Sequence, residues 1–135
     1  MWVDKMRLED QVCSLELSQE LKELGVKQES LWYWVSFHNN SSTVPYEVLN
    51  QLVYVDDVEE FIERSYLEIL GKCSAFTVAE LGEMLPTYLK YQKWEFSYRI
   101  EYDVKNGCGV QEKNEANARA KMLIWLIKNK KIKNV

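Results

Sequence analysis

The residues of this chain that could do chemistry are one histidine, three cysteines and a run of carboxylates. His38 is alone, which excludes a multi-histidine metal site. Any Ser/His or Cys/His catalysis would rest on this single ring, which stands beside an Asn/Ser stretch and reads as an ordinary turn residue. Asp56, Asp57, Glu59, Glu60, Glu63 and Glu68 could hold magnesium or supply an acid/base pair. Their spacing instead puts Glu59, Glu60 and Glu63 beside or opposite an apolar helical stripe, where charges normally face water. Glu80 stands three residues after Thr77, the spacing of a capping box rather than of a catalytic carboxylate. Cys13, Cys73 and Cys108 never form C-x-x-C, so neither a zinc site nor a disulfide framework is indicated, and they read as buried free thiols.

Binding chemistry is better represented than catalysis. The five glycines, Gly25, Gly71, Gly82, Gly107 and Gly109, build no phosphate-cradling loop, so no nucleotide cofactor is expected. Positive charge gathers late: residues 1–100 carry 9 basic and 17 acidic groups, residues 101–135 carry 8 and 4. Arg119, Lys121, Lys128, Lys130, Lys131 and Lys133 are therefore the candidate nucleic-acid contacts, although lysines at a helix C-terminus also suit the helix dipole. The net charge of −4 argues against a dedicated nucleic-acid binder. Eight tyrosines and five tryptophans could serve as stacking platforms or protein hot spots. Most of them alternate inward. Trp32 and Trp34 stand out because they oppose Leu31, Tyr33, Val35 and Phe37, and a helix is expected to cover them.

The elements that must position these groups follow from periodicity and punctuation. A helix is predicted over 14–24, with Ser14 as N-cap and Gly25 just past its end. Residues 31–37 form a strand apolar on both faces, hence central, followed by a turn over 38–42. A second strand is expected between 44 and 55, interrupted near Asn50 and Gln51. Val58, Phe61, Ile62, Ser65, Tyr66 and Ile69 share one helical face, which predicts a helix over 57–70 ended by Gly71. Thr77, Glu80, Phe76, Leu81 and Pro86 together predict a short capped helix. Residues 94–104 alternate throughout, with Trp94, Phe96, Tyr98, Ile100, Tyr102 and Val104 on the core side, as in an antiparallel strand. Asn106-Gly107 is a turn dipeptide leading to a return strand at 110–112. A last helix starts at the cap Asn114 and runs to about residue 130.

These elements predict one α+β domain over 1–135, with frayed ends at 1–6 and 131–135. A mostly antiparallel sheet of three or four strands, built around 31–37 and 94–104, carries helices, on both faces in the manner of an α-β-α sandwich. Size and composition suit a single core. The sequence has neither a membrane-length apolar run nor a signal-peptide start, so a cytoplasmic protein is expected, with no membrane partner.

Four stretches carry a resemblance: AFTVAELGEMLP at 75–86, KNEANARAKMLIWLI at 113–127, DQVCSLEL at 10–17 and ELGVKQES at 23–30. They are similar to segments of small phage and prophage proteins of gut bacteria, a group with no assigned activity, itself loosely similar to phage α-β-α sandwich domains. Residues 38–74 do not share the likeness. The resemblance and the missing catalytic groups together imply a non-enzymatic phage accessory protein without cofactor, acting on a protein partner or on itself. The alternatives are weak nucleic-acid binding through the basic helix and a metal enzyme built on the 56–63 carboxylates.

Overall fold

The computed structural model describes residues 7–39, 48–64, 67–103 and 108–132. In chain order they form α1 (Leu8–Gln11), α2 (Leu15–Glu23), β1 (Trp32–Asn39), β2 (Val48–Tyr54), a 3-10 turn (Val55–Asp57), α3 (Val58–Ile62), β3 (Leu67–Ser74), α4 (Val78–Met84), β4 (Lys90–Lys93), β5 (Tyr98–Asp103), β6 (Cys108–Glu112) and α5 (Glu115–Lys128). The fold is α+β, and every strand pairing is antiparallel. Where one sheet was expected, there are two: β2-β1-β3 and β4-β5-β6. The strand beginning at Trp32 is central in the first and the one beginning at Tyr98 is central in the second.

Local signals place the helix ends. Ser14 Oγ accepts the Leu17 amide at 3.3 Å, and Asn114 Oδ1 accepts that of Asn117 at 3.0 Å. Thr77 and Glu80 close a full capping box. The residue before Pro86, Leu85, leaves the helix in an extended conformation, as a pre-proline residue must. Gly25 takes a φ of 89°, the left-handed geometry a helix end requires, and its amide and that of Val26 return to Lys22 O and Leu21 O.

The predicted helix over 57–70 is the main correction. Of the described residues in that range only Val58–Ile62 is α-helical, Asp57 makes no side-chain cap, and Leu67–Ser74 is a strand paired with β1. A short apolar run fits either period, and here pairing with the aromatic, β-branched β1 decides. Gly71 therefore ends no helix. It lies in β3 opposite Ser36, beside a register shift between Ser36 and Phe37. His38 is likewise a β1 residue, paired with Val48 and Glu68, and not part of a turn. β2 runs through Asn50 and Gln51 without interruption. Residues 44–47, Ser65, Tyr66, Val104 and the Asn106-Gly107 turn lie outside the described residues.

Two cores result. Leu21, Phe76, Leu81, Ile100 and the Ala116, Ala120, Leu123 face of α5 make the larger one between α2, α4, α5 and the second sheet. Tyr33, Val35, Phe37, Val53, Val58 and Phe61 make the smaller one between the first sheet and α3. The chain's two best strands serve different cores, so they do not pair. α2 links the halves, touching α5 on one side and β3 on the other. The opposite face of β1 is partly covered from that side: the Trp34 indole donates to Cys13 O at 3.0 Å, and Trp32 meets the Tyr54 ring edge-on at 5.3 Å. Among the described residues no helix is long and apolar enough to cross a membrane.

Candidate functional site

β4, the turn after it and β5 form a hairpin that holds aromatic side chains out to solvent. Leu89, buried, anchors its start in the larger core. The Trp94 amide bonds Ser97 O at 2.9 Å and closes the turn. Trp94 is 48 % exposed and Phe96 79 %, while Tyr88 and Tyr91 are 58 % and 44 % exposed. The alternation of 94–104 predicts Trp94 and Phe96 on the core face, and both are corrected here. The strand begins only at Tyr98, because Lys90–Lys93 is itself the partner strand and residues 94–97 must turn the chain back. No sequence signal marks the reversal, since Lys90-Tyr91-Gln92-Lys93 does not alternate and the period-two pattern runs unbroken through 94–97.

Ring and cation contacts brace the base of the hairpin. The Arg119 guanidinium lies 5.0 Å over the Tyr91 ring while holding Glu115 at 2.7 Å. Tyr88 meets Tyr102 edge-on at 5.8 Å, Tyr102 leans on Trp125 at 5.2 Å, and Lys131 Nζ sits 5.7 Å from the Tyr102 ring. Desolvation pushes the Tyr91 phenol above its ordinary value against the pull of Arg119; Tyr88 is raised by desolvation and by its neighbour Tyr102. Behind Phe96 lies a cleft of about 590 Å³ whose polar wall includes Gln111, Lys113 and Asn117. Asn117 is already engaged there, since its Oδ1 accepts the Ser14 amide at 2.8 Å.

The six candidate nucleic-acid contacts are not gathered on one free face. Arg119 pairs with Glu115, Lys121 with Glu112 at 2.7 Å and Lys128 with Glu20 at 2.9 Å. Lys131 stands over Tyr102, Lys130 is exposed, and Lys133 lies outside the described residues. The carboxylates Asp56, Asp57, Glu59, Glu60 and Glu63 are all exposed. Among the described residues no three His, Cys, Asp or Glu side chains converge as a metal site. Glu80 accepts from Thr77 N, Ser30 Oγ and Leu31 N, which makes it a structural tie. The Nδ1 atom of His38 is buried without a hydrogen-bond partner among the described residues. Of the cysteines, Cys13 and Cys73 are buried; Cys108, contrary to expectation, is half-exposed. Burial pushes the Cys13 thiol up, and pushes Cys73 up to about 11.

A second surface borders the outer face of the first sheet. A cleft of about 470 Å³ opens between α2 and that face, floored by Trp34, Ser36 and Gly71 and edged by Val48 and Leu70. A Cβ at Gly71 would meet nothing within 4 Å, so the floor is bare strand backbone. Ser36 Oγ donates to Asn50 Oδ1 at 2.6 Å beside it. No protein-family model, no curated protein and no solved structure matches this chain.

Proposed function

We propose that this chain is a non-enzymatic accessory protein of phage type that binds another protein through the hairpin bearing Tyr88, Tyr91, Trp94 and Phe96. The observation that carries the reading is the exposure of Phe96, 79 %, on a closed four-residue turn. Leaving such a ring in water forgoes the burial that drives folding, and tryptophan and tyrosine are the side chains that most often anchor protein interfaces. A hairpin braced at its base by Arg119 and Tyr102 has less conformational freedom to lose on docking than an unsupported loop. Lys90, Lys93 and Glu95, all exposed, flank the rings as the charged rim of an interface would. Nucleic acid is the weaker reading, because Arg119, Lys121 and Lys128 already have carboxylate partners.

The experiment is site-specific photo-cross-linking in host lysate, with the reactive residue at position 96 and, as control, at the exposed Glu83 on α4. The expected result is one protein captured from position 96 alone, competed away by unlabelled protein but not by the Trp94→Ser variant. The same products from both positions, or none from position 96, would remove the hairpin as the site.

A further inference from the structure

An open sheet has two edges, and natural proteins guard them against the addition of a foreign strand by brevity, lysines, bulges or cover. Three of the four edges here are guarded. At β3 the register shifts between Ser36 and Phe37, and Lys22 Nζ occupies the Lys72 carbonyl at 2.8 Å. β4 is four residues long and carries Lys90 and Lys93, which would face each other if two copies paired antiparallel. β6 ends in Glu112, and its ladder with β5 shifts between Glu101 and Asp103.

Among the described residues β2 has no such device. Its sequence, Val48-Leu49-Asn50-Gln51-Leu52-Val53-Tyr54, holds no charge, proline or glycine, and its register with β1 is unbroken from Tyr54 to Val48. Val48 is 50 % exposed, Leu49 37 % and Tyr54 36 %. Among the described residues no strand pairs with its outer edge. A cleft of about 420 Å³ borders this part of β2 at Gln51 and Tyr54, with Asp57, Glu60 and Arg64 on its other wall.

The backbone direction can be assigned. Val55 donates its amide to Leu31 O at 2.8 Å across the β1–β2 gap. Backbone groups point to alternate sides along a strand, so Leu49, Gln51 and Val53 address β1, while Val48, Asn50, Leu52 and Tyr54 present free N–H and C=O groups outward. An antiparallel strand centred on Gln51 would match these outward positions among themselves: Val48 with Tyr54 and Asn50 with Leu52. Apart from Asn50 opposite Leu52, the side chains match in kind as well. Val48 meets Tyr54 on the outer face, Leu49 meets Val53 on the inner face, and Gln51 meets its own equivalent.

We propose that β2 is a self-pairing edge: two copies of this chain join β2 to β2 antiparallel about Gln51, making a six-stranded sheet with a twofold axis. The partner is committed to a second copy because the apolar ends of the strand meet across the axis, Val48 with Tyr54 and Leu49 with Val53, and because no charged side chain of the strand meets its own mirror image. This rests on the β2 edge alone and is independent of the aromatic hairpin.

The test is sedimentation equilibrium of the intact protein and its variants. The wild type is expected to be a reversible dimer. Gln51→Lys and Gln51→Glu each set like charges across the axis and weaken the dimer about fivefold or more, and a mixture of the two restores it. Asn50→Pro removes an outward donor and the exposed Ser36 side-chain bond but no backbone bond of the β1 ladder, so it keeps the far-UV circular dichroism of a folded protein and gives a monomer. The Trp94→Ser variant still dimerises. A wild type that is monomeric at all attainable concentrations would overturn the proposal. So would Asn50→Pro dimers as tight as wild type, a mixture that fails to restore pairing, or a dimer lost through Trp94→Ser.

Discussion

Glu80 Oε2 accepts the backbone amide of Leu31 at 3.2 Å, joining two residues 49 positions apart. The same carboxylate caps α4 by accepting Thr77 N at 2.9 Å and takes the Ser30 hydroxyl at 2.9 Å. One side chain thus fixes a helix start in the larger core to the entry of β1, the central strand of the smaller one. Glu80→Ala leaves these donors unpaired in a half-buried setting and is expected to lower stability by about 2 kcal/mol. Glu83→Ala, on the exposed side of the same helix, should stay within about 0.5 kcal/mol. Urea unfolding of both variants measures the difference, and equal effects would deny Glu80 its bridging role.

The half of that role confined to residues 77–80 is legible in the sequence, and the half reaching Ser30 and Leu31 is not. The same division runs through the fold. Ser14, Asn114, Thr77, Gly25 and Pro86 act within one helical turn, so their identity and spacing suffice. Residues 67–74 do not announce themselves as a strand, since Ile69 extends the helical stripe of Val58, Phe61 and Ile62 while Leu67–Ser74 finds its partner in β1. Trp94 and Phe96 continue a period-two pattern through a turn, because alternation records side-chain type and not the point where the chain reverses. The uncharged character of residues 48–54 is plain in the sequence. That they form an edge depends on β1 lying between β2 and β3, which only the topology shows.

Cys73 ties stability to alkaline pH. Burial against the sheet, and then the neighbouring Cys13 thiol, raise it from 9.0 to about 11. The folded state therefore holds the proton more tightly than the unfolded chain. The resulting stabilisation is complete below pH 9 and is lost as the pH rises toward 11, where both states ionise. Within this window stability should fall by up to about 1.4 kcal/mol per pH unit for this group. Cys73→Ala should flatten the decline relative to wild type when unfolding is followed between pH 8 and 11. Since the thiolate is the reactive form, a thiol reagent at neutral pH should label half-exposed Cys108 before Cys73 or Cys13. Labelling of Cys73 first would contradict the burial argument.

Lys130 ends α5 in the way Gly25 ends α2. Its amide returns to Ile127 O at 3.1 Å and that of Lys131 to Leu126 O at 2.9 Å, the same pair of bonds that Gly25 and Val26 make. Lys130 does so at a φ of 55°, where a Cβ crowds the following carbonyl. Replacing it with glycine removes the crowding, and Lys130→Gly is expected to stabilise the protein by about 1 kcal/mol, offset in part by the freer unfolded chain. Gly25→Ala should destabilise by a similar amount. The first variant also separates two readings of the basic helix end. If Lys130 contacts phosphate, Lys130→Gly must reduce the salt dependence of nucleic-acid binding by about one counterion even as the fold gains stability. If the lysine is only a solvated cap residue, urea unfolding shifts upward and no binding property moves with it.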